Sequence, residues 1–425
     1  VAAIVALAVG FSWSEIQQHM SNGVARALPA VFILFLIGLV IGTWILSGVI
    51  PTLIYYGLAI INPRIFIPAV ALATGIVSIT LGSSFTSIAT VGLAFMAIGG
   101  GFGFPAPMVA GAVISGAYLG DKLSPLSDTT NVAPAMADTD LFSHVRHMMW
   151  DTIPAFVIAL VIYWIMGARF SAEAASPEEV TTIMEGLRGA FAISPWLLLV
   201  PVVTIVLVAM RFPAVPALLI VGVLGGLVAI LFQGSTVTQV VGVMTRGFQP
   251  DTGIQAIDRL LSRGGITSML GTIGLVTVAT ALGGVFEGTG MFNAIVDPII
   301  ARVKSTGNLL LATVVSTFIV GFASGAQFLA IILPARAFVR TYKQRGLDTK
   351  NLSRAVEAAG TVGINLVPWG VPAVFAMNVL GVEPAQFIPF ALFVFIVPLV
   401  NVIYGYTGVS IAKREYTQEE IEATA

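Results

Sequence analysis

The amino-acid sequence predicts an all-α, polytopic membrane protein. Hydrophobic residues make up 57% of its 425 residues, only 10% are charged, and the mean hydropathy is +0.97. A soluble protein of this length and composition would expose far too much apolar surface. The alternating patterns of about ten residues that are typical of outer-membrane barrels do not occur in the sequence.

Long apolar stretches recur along the chain, and each can cross a hydrocarbon core of about 30 Å as a helix. These stretches are 28–50, 66–81, 151–167, 192–210, 214–232, 268–286, 308–323 and 385–408. Counting broken helices and re-entrant hairpins as well, we expect about 10–13 membrane segments.

Composition also restricts the possible functions. The net charge of −1 gives no indication of a nucleic-acid partner. The absence of cysteine excludes disulfides and thiolate metal sites, and three histidines argue against a zinc enzyme, so we expect no cofactor. Because the chain begins Val1-Ala2-Ala3-Ile4 inside an apolar segment, without methionine, we expect an incomplete N-terminus.

The second half of the chain repeats features of the first at a shift of 242 or 243 residues. Gly23, Gly42 and Gly48 recur as Gly265, Gly284 and Gly290, and Gly120, Leu123, Pro125 and Ala133 recur as Gly363, Leu366, Pro368 and Ala376. Duplicated halves are common in transporters, whose site lies between the repeats on discontinuous helices. We predict a first repeat over 1–168, a linking segment with two transmembrane helices over 169–250, a second repeat over 251–412 and a polar tail over 413–425.

Loop charges predict that the two repeats have inverted orientations. Loop 340–354 carries five basic residues against one acidic residue, so the positive-inside rule places it in the cytoplasm. The corresponding loop 99–104 is uncharged and loop 169–189 is acidic, which suits the external side for both.

A charged run, residues 120–131, directly follows the apolar stretch 105–119. Pro125 removes a backbone N–H and disfavours helical geometry at the residue before it, so we expect the helix to break here. An open backbone at membrane depth is tolerated only inside protein or along an aqueous cavity, where ionisable residues usually line an ion path. The alternative is an external loop in which Asp121 and Lys122 form a surface pair.

The broken helix offers hard oxygen ligands for a small cation. We predict that Asp121 and Asp128 bind Na⁺ and H⁺ in turn, because one carboxylate cannot hold both ions well. Lys122 is either a counter-charge for an aspartate or a proton-linked switch. The neutral oxygen ligands, or groups that orient the carboxylates, are predicted to be Ser124, Ser127, Thr129, Thr130 and Asn131.

The second half keeps the break, at Pro368, but has no aspartates around it. The polar residues before that break are Glu357, Thr361 and Asn365, which we predict close the site from the other repeat. Glu357 is either a second titrating group at the site or a partner of Arg354 or Lys350 at the membrane surface.

Small polar residues also begin the segments 82–100 and 321–340, each of which is either a spanning helix or a re-entrant hairpin. If these segments are hairpins, their tips can cap the site. The capping residues are predicted to be Ser83, Ser84, Thr86 and Ser324.

These motifs are similar to those of a known family. The matching residues are 42–44, 51–57, 115–118, 120–131, 140–142, His144, 146–148, 351–354, Glu357, 360–361 and 366–371. With them the chain resembles the NhaC-type Na⁺/H⁺ antiporter family, within the ion-transporter superfamily, over nearly its whole length. One departure is Ala358-Ala359, where the family pattern favours a more polar pair.

The resemblance implies inverted repeats with re-entrant hairpins, a homodimer and elevator-like alternating access. We therefore expect a secondary antiporter, not an enzyme, that exchanges Na⁺, with Li⁺ as a further candidate, for H⁺ across a bacterial or archaeal cytoplasmic membrane. The main alternative is a Na⁺/H⁺-coupled exchanger of organic acids of the malate or lactate type, with Arg336 or Lys122 meeting the anion. A channel or an intramembrane aspartyl enzyme fits the sequence less well.

Overall fold

The computed structural model describes residues 1–170, 177–210 and 212–422, and within these ranges the chain is built from α-helices. The described residues form no β-strand beyond an isolated bridge between Leu347 and Lys413. Six described helices are long and apolar enough to cross a membrane, or up to ten if each bent helix pair is one span. The all-α, polytopic architecture is therefore confirmed.

Some of the predicted segments fall partly outside the described residues. Residues 171–176 of the acidic loop, Arg211 of the linking segment and residues 423–425 of the tail lie outside them. In its described part, the linking segment contains one bent helix pair and one straight span, Val215–Gln233.

The first half contains a long helix, a sharply bent continuation, a helical hairpin and a broken helix. These elements are α1 (Ala2–Val9), α2 (Trp13–Leu46), α3 (Val49–Ile60), α4 (Phe66–Leu81), α5 (Ser84–Ser87), α6 (Leu93–Gly101), α7 (Ala106–Leu123), α8 (Asp128–Met136) and α9 (Leu141–Phe170). A π-helical segment, Ile88–Gly92, joins α5 to α6, so Ser84–Gly101 is one continuous helix. This helix is the second arm of a helical hairpin whose first arm is α4.

The linking segment and the second half follow in a similar style. The linking helices are α10 (Pro177–Ala190), α11 (Leu199–Ala209), α12 (Ala214–Gln233), α13 (Val237–Arg246) and α14 (Gln255–Leu261). The later helices are α15 (Leu270–Gly288), α16 (Met291–Ala301), α17 (Thr306–Ser324), α18 (Gln327–Gln344), α19 (Lys350–Val356), α20 (Val371–Leu380), α21 (Pro384–Phe387), α22 (Leu392–Thr407) and α23 (Gln418–Glu422). Between α19 and α20 lie a π-helical segment, Glu357–Val362, and a 3₁₀ turn, Gly363–Leu366.

The two halves match element by element at a shift of 242 or 243 residues. Left-handed glycines begin the bent continuations, at Gly48 (φ 78°) and Gly290 (φ 72°). Left-handed glycines also end the first arms of the hairpins, at Gly82 (φ 66°) and Gly325 (φ 63°). Only glycine adopts such angles without strain. The recurrence of Gly48 as Gly290 was visible in the sequence, whereas the correspondence of Gly82 with Gly325 emerges from the structure.

The long helices of the two halves, α2 and α15, pack on one another in antiparallel fashion. Gly23 lies against Gly284 on α15, and fifteen residues further along α2, Gly38 lies against Gly265, just before α15 begins. The contacts therefore move towards the start of α15 as they move towards the end of α2. Side chains this small allow the two backbones to approach closely. Inverted repeats require an antiparallel contact of this kind, and their inversion stays a prediction.

Candidate ion-binding site

Both predicted helix breaks are present, and each faces the tip of a hairpin. The first break leaves helix geometry at Ser124 and re-enters it at Asp128. A Cβ atom added to Gly82, at the α4–α5 tip, would lie 2.7 Å from the Leu126 Cβ atom. At the second break, the backbone N–H of Val371 donates to the Gly325 carbonyl at the α17–α18 tip, at 2.8 Å.

The carboxylate of Asp121 is the centre of the first break. It is buried, and its two oxygens accept hydrogen bonds from the Ser84 Oγ and Ser127 Oγ atoms, both at 2.6 Å. The Ser127 hydroxyl lies 3.0 Å from the Thr129 Oγ1 atom. Ser84 comes from the hairpin tip and Ser127 from the break, so one carboxylate joins two separate elements.

Other predicted polar residues form hydrogen bonds with the backbone of the break rather than with the Asp121 carboxylate. The Thr130 hydroxyl donates to the backbone carbonyls of Asp121 (2.8 Å) and Lys122 (3.2 Å), which are freed at the end of α7. Asn131 donates to the carbonyls of Pro125 and Ser127, at 2.9 and 2.7 Å. These contacts satisfy backbone groups that the broken helix leaves open.

The hydroxyls at the hairpin tips mainly satisfy their own turns. The Ser83 Oγ atom accepts from the backbone N–H and the hydroxyl of Thr86, at 3.3 and 3.1 Å. Ser324 donates to the Val320 carbonyl at 2.7 Å and accepts from the Ala326 N–H at 3.2 Å. At the first break, likewise, the Ser124 Oγ atom accepts a hydrogen bond from the Leu126 N–H within its own turn, at 3.3 Å.

A cavity of about 880 Å³ borders this site and is shared by both hairpin tips and both breaks. Its polar lining comes mainly from the first half: Ser83, Ser84, Thr86, Asp121, Ser127, Asp128 and Thr129, joined by Thr280 and Gln327. Asp128 is exposed towards it at the start of α8, whereas Asp121 is buried in its wall. The two predicted carboxylates therefore have unlike surroundings.

The second half adds Glu357, Thr361 and Asn365 behind Asp121. All three are fully buried, and within the described residues both Glu357 carboxyl oxygens, the Thr361 hydroxyl and the Asn365 Oδ1 atom lack a hydrogen bond of good geometry, although the Thr361 and Thr129 hydroxyls interact with the Glu357 carboxyl group. Glu357 interacts electrostatically with Asp121 and Lys122. Buried polar atoms without well-formed hydrogen bonds are costly and therefore rare in proteins, so this group can accommodate a ligand.

The surface alternatives for Glu357 and for the Asp121–Lys122 pair are wrong. Arg354 instead donates to the Asn401 Oδ1 atom at 2.9 Å, and Lys350 pairs with Asp348 at 2.9 Å. Lys122 is completely buried and does not pair with its neighbour in sequence.

Sequence reasoning missed the partner of Lys122, which is Asp151 on α9. The Lys122 Nζ atom lies 3.3 Å from the Asp151 Oδ2 atom, and neither side chain is exposed. The same carboxylate accepts hydrogen bonds from Asn401 on α22 and from the Thr152 hydroxyl. The available signal was an acidic residue at the start of the apolar stretch 151–167, since charge is rare at membrane depth.

A comparison with known protein families agrees with this site geometry. The model of the Na⁺/H⁺ antiporter family matches residues 1–130 and 116–409, which is almost the whole chain. The chain belongs to the NhaC-type Na⁺/H⁺ antiporter family. Members of this family are secondary transporters, so the protein is a transporter rather than an enzyme.

Relatives within the family differ in the solutes that their names state. The Na(+)/H(+) antiporter NhaC of Alkalihalophilus pseudofirmus is 38% identical over 98% of this chain and 90% of its own length. The malate-2H(+)/Na(+)-lactate antiporter of Bacillus subtilis is 36% identical over 96% of this chain and 87% of its own. The arginine/ornithine antiporter ArcD of Halobacterium salinarum is 36% identical over 94% and 83%.

Proposed function

We propose that this protein is an antiporter of a bacterial or archaeal cytoplasmic membrane that exchanges Na⁺ for H⁺. The observation that carries the proposal is the buried Asp121 carboxylate at the wall of a shared cavity. This carboxylate accepts hydrogen bonds from one hydroxyl at a hairpin tip and one at a helix break. Hydroxyl, carbonyl and carboxylate oxygens are the ligands that hard cations prefer. Li⁺ has the same charge and the same preference, and we expect it to be a second substrate.

Competition for one carboxylate is enough for exchange. With Na⁺ bound, Asp121 is ionised and the Ser84 and Ser127 hydroxyls can turn their oxygen lone pairs to the ion. When Na⁺ leaves, an ionised and buried carboxylate is costly, so a proton must replace the ion before the site crosses the membrane cheaply. Asp128, at the cavity surface, attracts the incoming cation, and Glu357 is the second group that can take a proton.

Helix packing supports an elevator-like movement of the site. The site-bearing helices pack among themselves, α4 on α7 and α9, and α17 on α18 and α22. The helices α2, α12, α13 and α15 form a separate group that packs mainly on itself. A rigid displacement of the first group against the second would move the site without opening it, and a second copy of the chain would anchor the second group in a homodimer.

Exchange of organic acids is the second candidate, and the cavity volume favours it. A space of about 880 Å³ is far larger than a small cation needs, and one relative of similar identity is named as a malate and lactate antiporter. Against this candidate, the described residues that line the cavity include two carboxylates and no basic side chain that could meet an anion. Arg336, which the sequence offered for that role, is exposed and is not among them.

Proteoliposome exchange tests the two candidates directly. We expect an imposed Na⁺ or Li⁺ gradient to drive proton movement in the wild type, with no requirement for malate or lactate. Asp121→Asn should reduce this exchange by at least about 100-fold, as expected when a charge is lost from an ion site. Asp140→Asn is the matched control, because Asp140 is exposed and Asn caps α9 equally well. Exchange that runs only with a carboxylic acid present would instead establish the second candidate.

A further inference from the structure

The ion pair between Lys122 and Asp151 lies beside the cation site but shares no ligand with it. Lys122 directly follows Asp121 on α7, and consecutive helix residues point in different directions. The ammonium therefore leaves the Asp121 side of the helix and meets α9, where the Nζ–Oδ2 distance to Asp151 is 3.3 Å.

Asp151 is fixed by neighbours that approach from other helices. Asn401 on α22 donates to its Oδ2 atom, and the Thr152 hydroxyl donates to its Oδ1 atom at 3.0 Å. Asn401 is in turn held by Arg354, whose Nε atom donates to the Asn401 Oδ1 atom at 2.9 Å. All these side chains are buried, so the Asp151 carboxylate has little freedom to move.

The ammonium of Lys122 is held less strictly. Among the described residues it makes no hydrogen bond of good donor geometry, although the ion-pair distance to Asp151 is short. Its charge also acts on Glu357, whose two carboxyl oxygens make no hydrogen bond of good geometry in the described part of the chain. A long, flexible lysine with spare donors thus pairs with a carboxylate that other helices hold firmly, and its charge acts on a second carboxylate that only the Thr361 and Thr129 hydroxyls approach.

We propose that Asp151 is a positioning residue, which holds the Lys122 ammonium away from Glu357 and Asp121 and so leaves the site free for Na⁺. Without Asp151, the ammonium turns to Glu357 and becomes an internal competitor of the transported cation. This inference rests on the proposed Na⁺ site and adds the residue that keeps it open to a free cation.

Na⁺ titration calorimetry on the full chain in detergent, with choline replacing Na⁺ in the buffer, tests this role. Asp151→Asn should raise the dissociation constant for Na⁺ on the order of tenfold. The double variant Lys122→Met/Asp151→Asn should bind Na⁺ more tightly than Asp151→Asn, since the competitor is gone. Asp138→Asn should leave the constant unchanged, because it removes the acid of another lysine pair, with Lys343, and neither residue lines the cavity.

A purely structural role predicts a different pattern. If Asp151→Asn binds Na⁺ like the wild type, or if the double variant is as weak as the single one, the inference is overturned. If Asp151→Asn does not fold, the comparison of Lys122→Met with the double variant decides: equal affinities support action through Lys122, and weaker binding by the double variant contradicts it. A wild type that shows no Na⁺ binding at all would overturn the proposed function as well, which separates the two failures.

Discussion

The two helix breaks have the same backbone plan and different chemistry. Each has a proline two residues after the helix end, and each is followed by a helix that starts at the equivalent position. Each also faces a hairpin tip whose turn is a left-handed glycine. At a shift of 243 residues, however, Asp121 corresponds to Ile364, Lys122 to Asn365 and Asp128 to Val371.

The two breaks therefore share a backbone plan but not the charge. The first break binds its hairpin tip through a carboxylate, whereas the second does so through a backbone hydrogen bond, from Val371 to Gly325. The acidic group that the second half places behind Asp121 is Glu357, which opens a π-helical segment. Such segments are frequent at functional sites. We infer that the first half binds the cation and the second half closes the site.

Removing the charge of Glu357 tests whether the second half contributes a titrating group to the ion site or only neutral polar groups. Glu357→Gln keeps the size of the side chain but can neither take up nor release a proton. We expect Na⁺-driven proton movement in proteoliposomes to fall by about 100-fold, which corresponds to roughly 2.7 kcal/mol. Glu383→Gln, an exposed acid of the same half, is the control and should behave like the wild type. Wild-type exchange by Glu357→Gln would restrict the ion chemistry to the first half.

The breaks and turns could be predicted from sequence because their causes are local. Pro125, Pro368 and the recurring glycines act on the backbone within one turn, so their effect does not depend on the rest of the fold. The partners of the buried charges could not be predicted in this way. Asp151 meets Lys122 and Asn401 only because α7, α9 and α22 pack together, and no spacing in the sequence encodes that contact.

The two tip glycines provide a matched pair for stability. Both have positive φ, so replacement by alanine costs about 1 kcal/mol of strain at either position. At Gly82 the new Cβ would also lie 2.7 Å from the Leu126 Cβ atom and 2.9 Å from its backbone carbon, whereas at Gly325 the nearest atom is 3.4 Å away. We expect Gly82→Ala to destabilise the protein by about 1–3 kcal/mol more than Gly325→Ala. Thermal unfolding in detergent measures the difference, and equal midpoints would mean that the two tips fit their breaks equally loosely.

The smallest expected effect comes from the side chains at equivalent positions of the two tips, Ser84 and Gln327. Ser84 donates to the Asp121 carboxylate at 2.6 Å, whereas Gln327 donates to the backbone carbonyl of Thr361 at 3.2 Å. A hydrogen bond to a charged group contributes about 1.5–3 kcal/mol and a neutral one about 1 kcal/mol. Ser84→Ala should therefore raise the KM for Na⁺ by about tenfold, since the ionised form of Asp121 loses a donor and the ion loses an oxygen ligand. Gln327→Ala should change it by less than about fivefold. Because the ionised carboxylate has lost a donor, a proton competes more effectively with Na⁺ in Ser84→Ala, and the defect should grow as the pH is lowered. Equal defects in the two variants at every pH would show that both tips contribute alike.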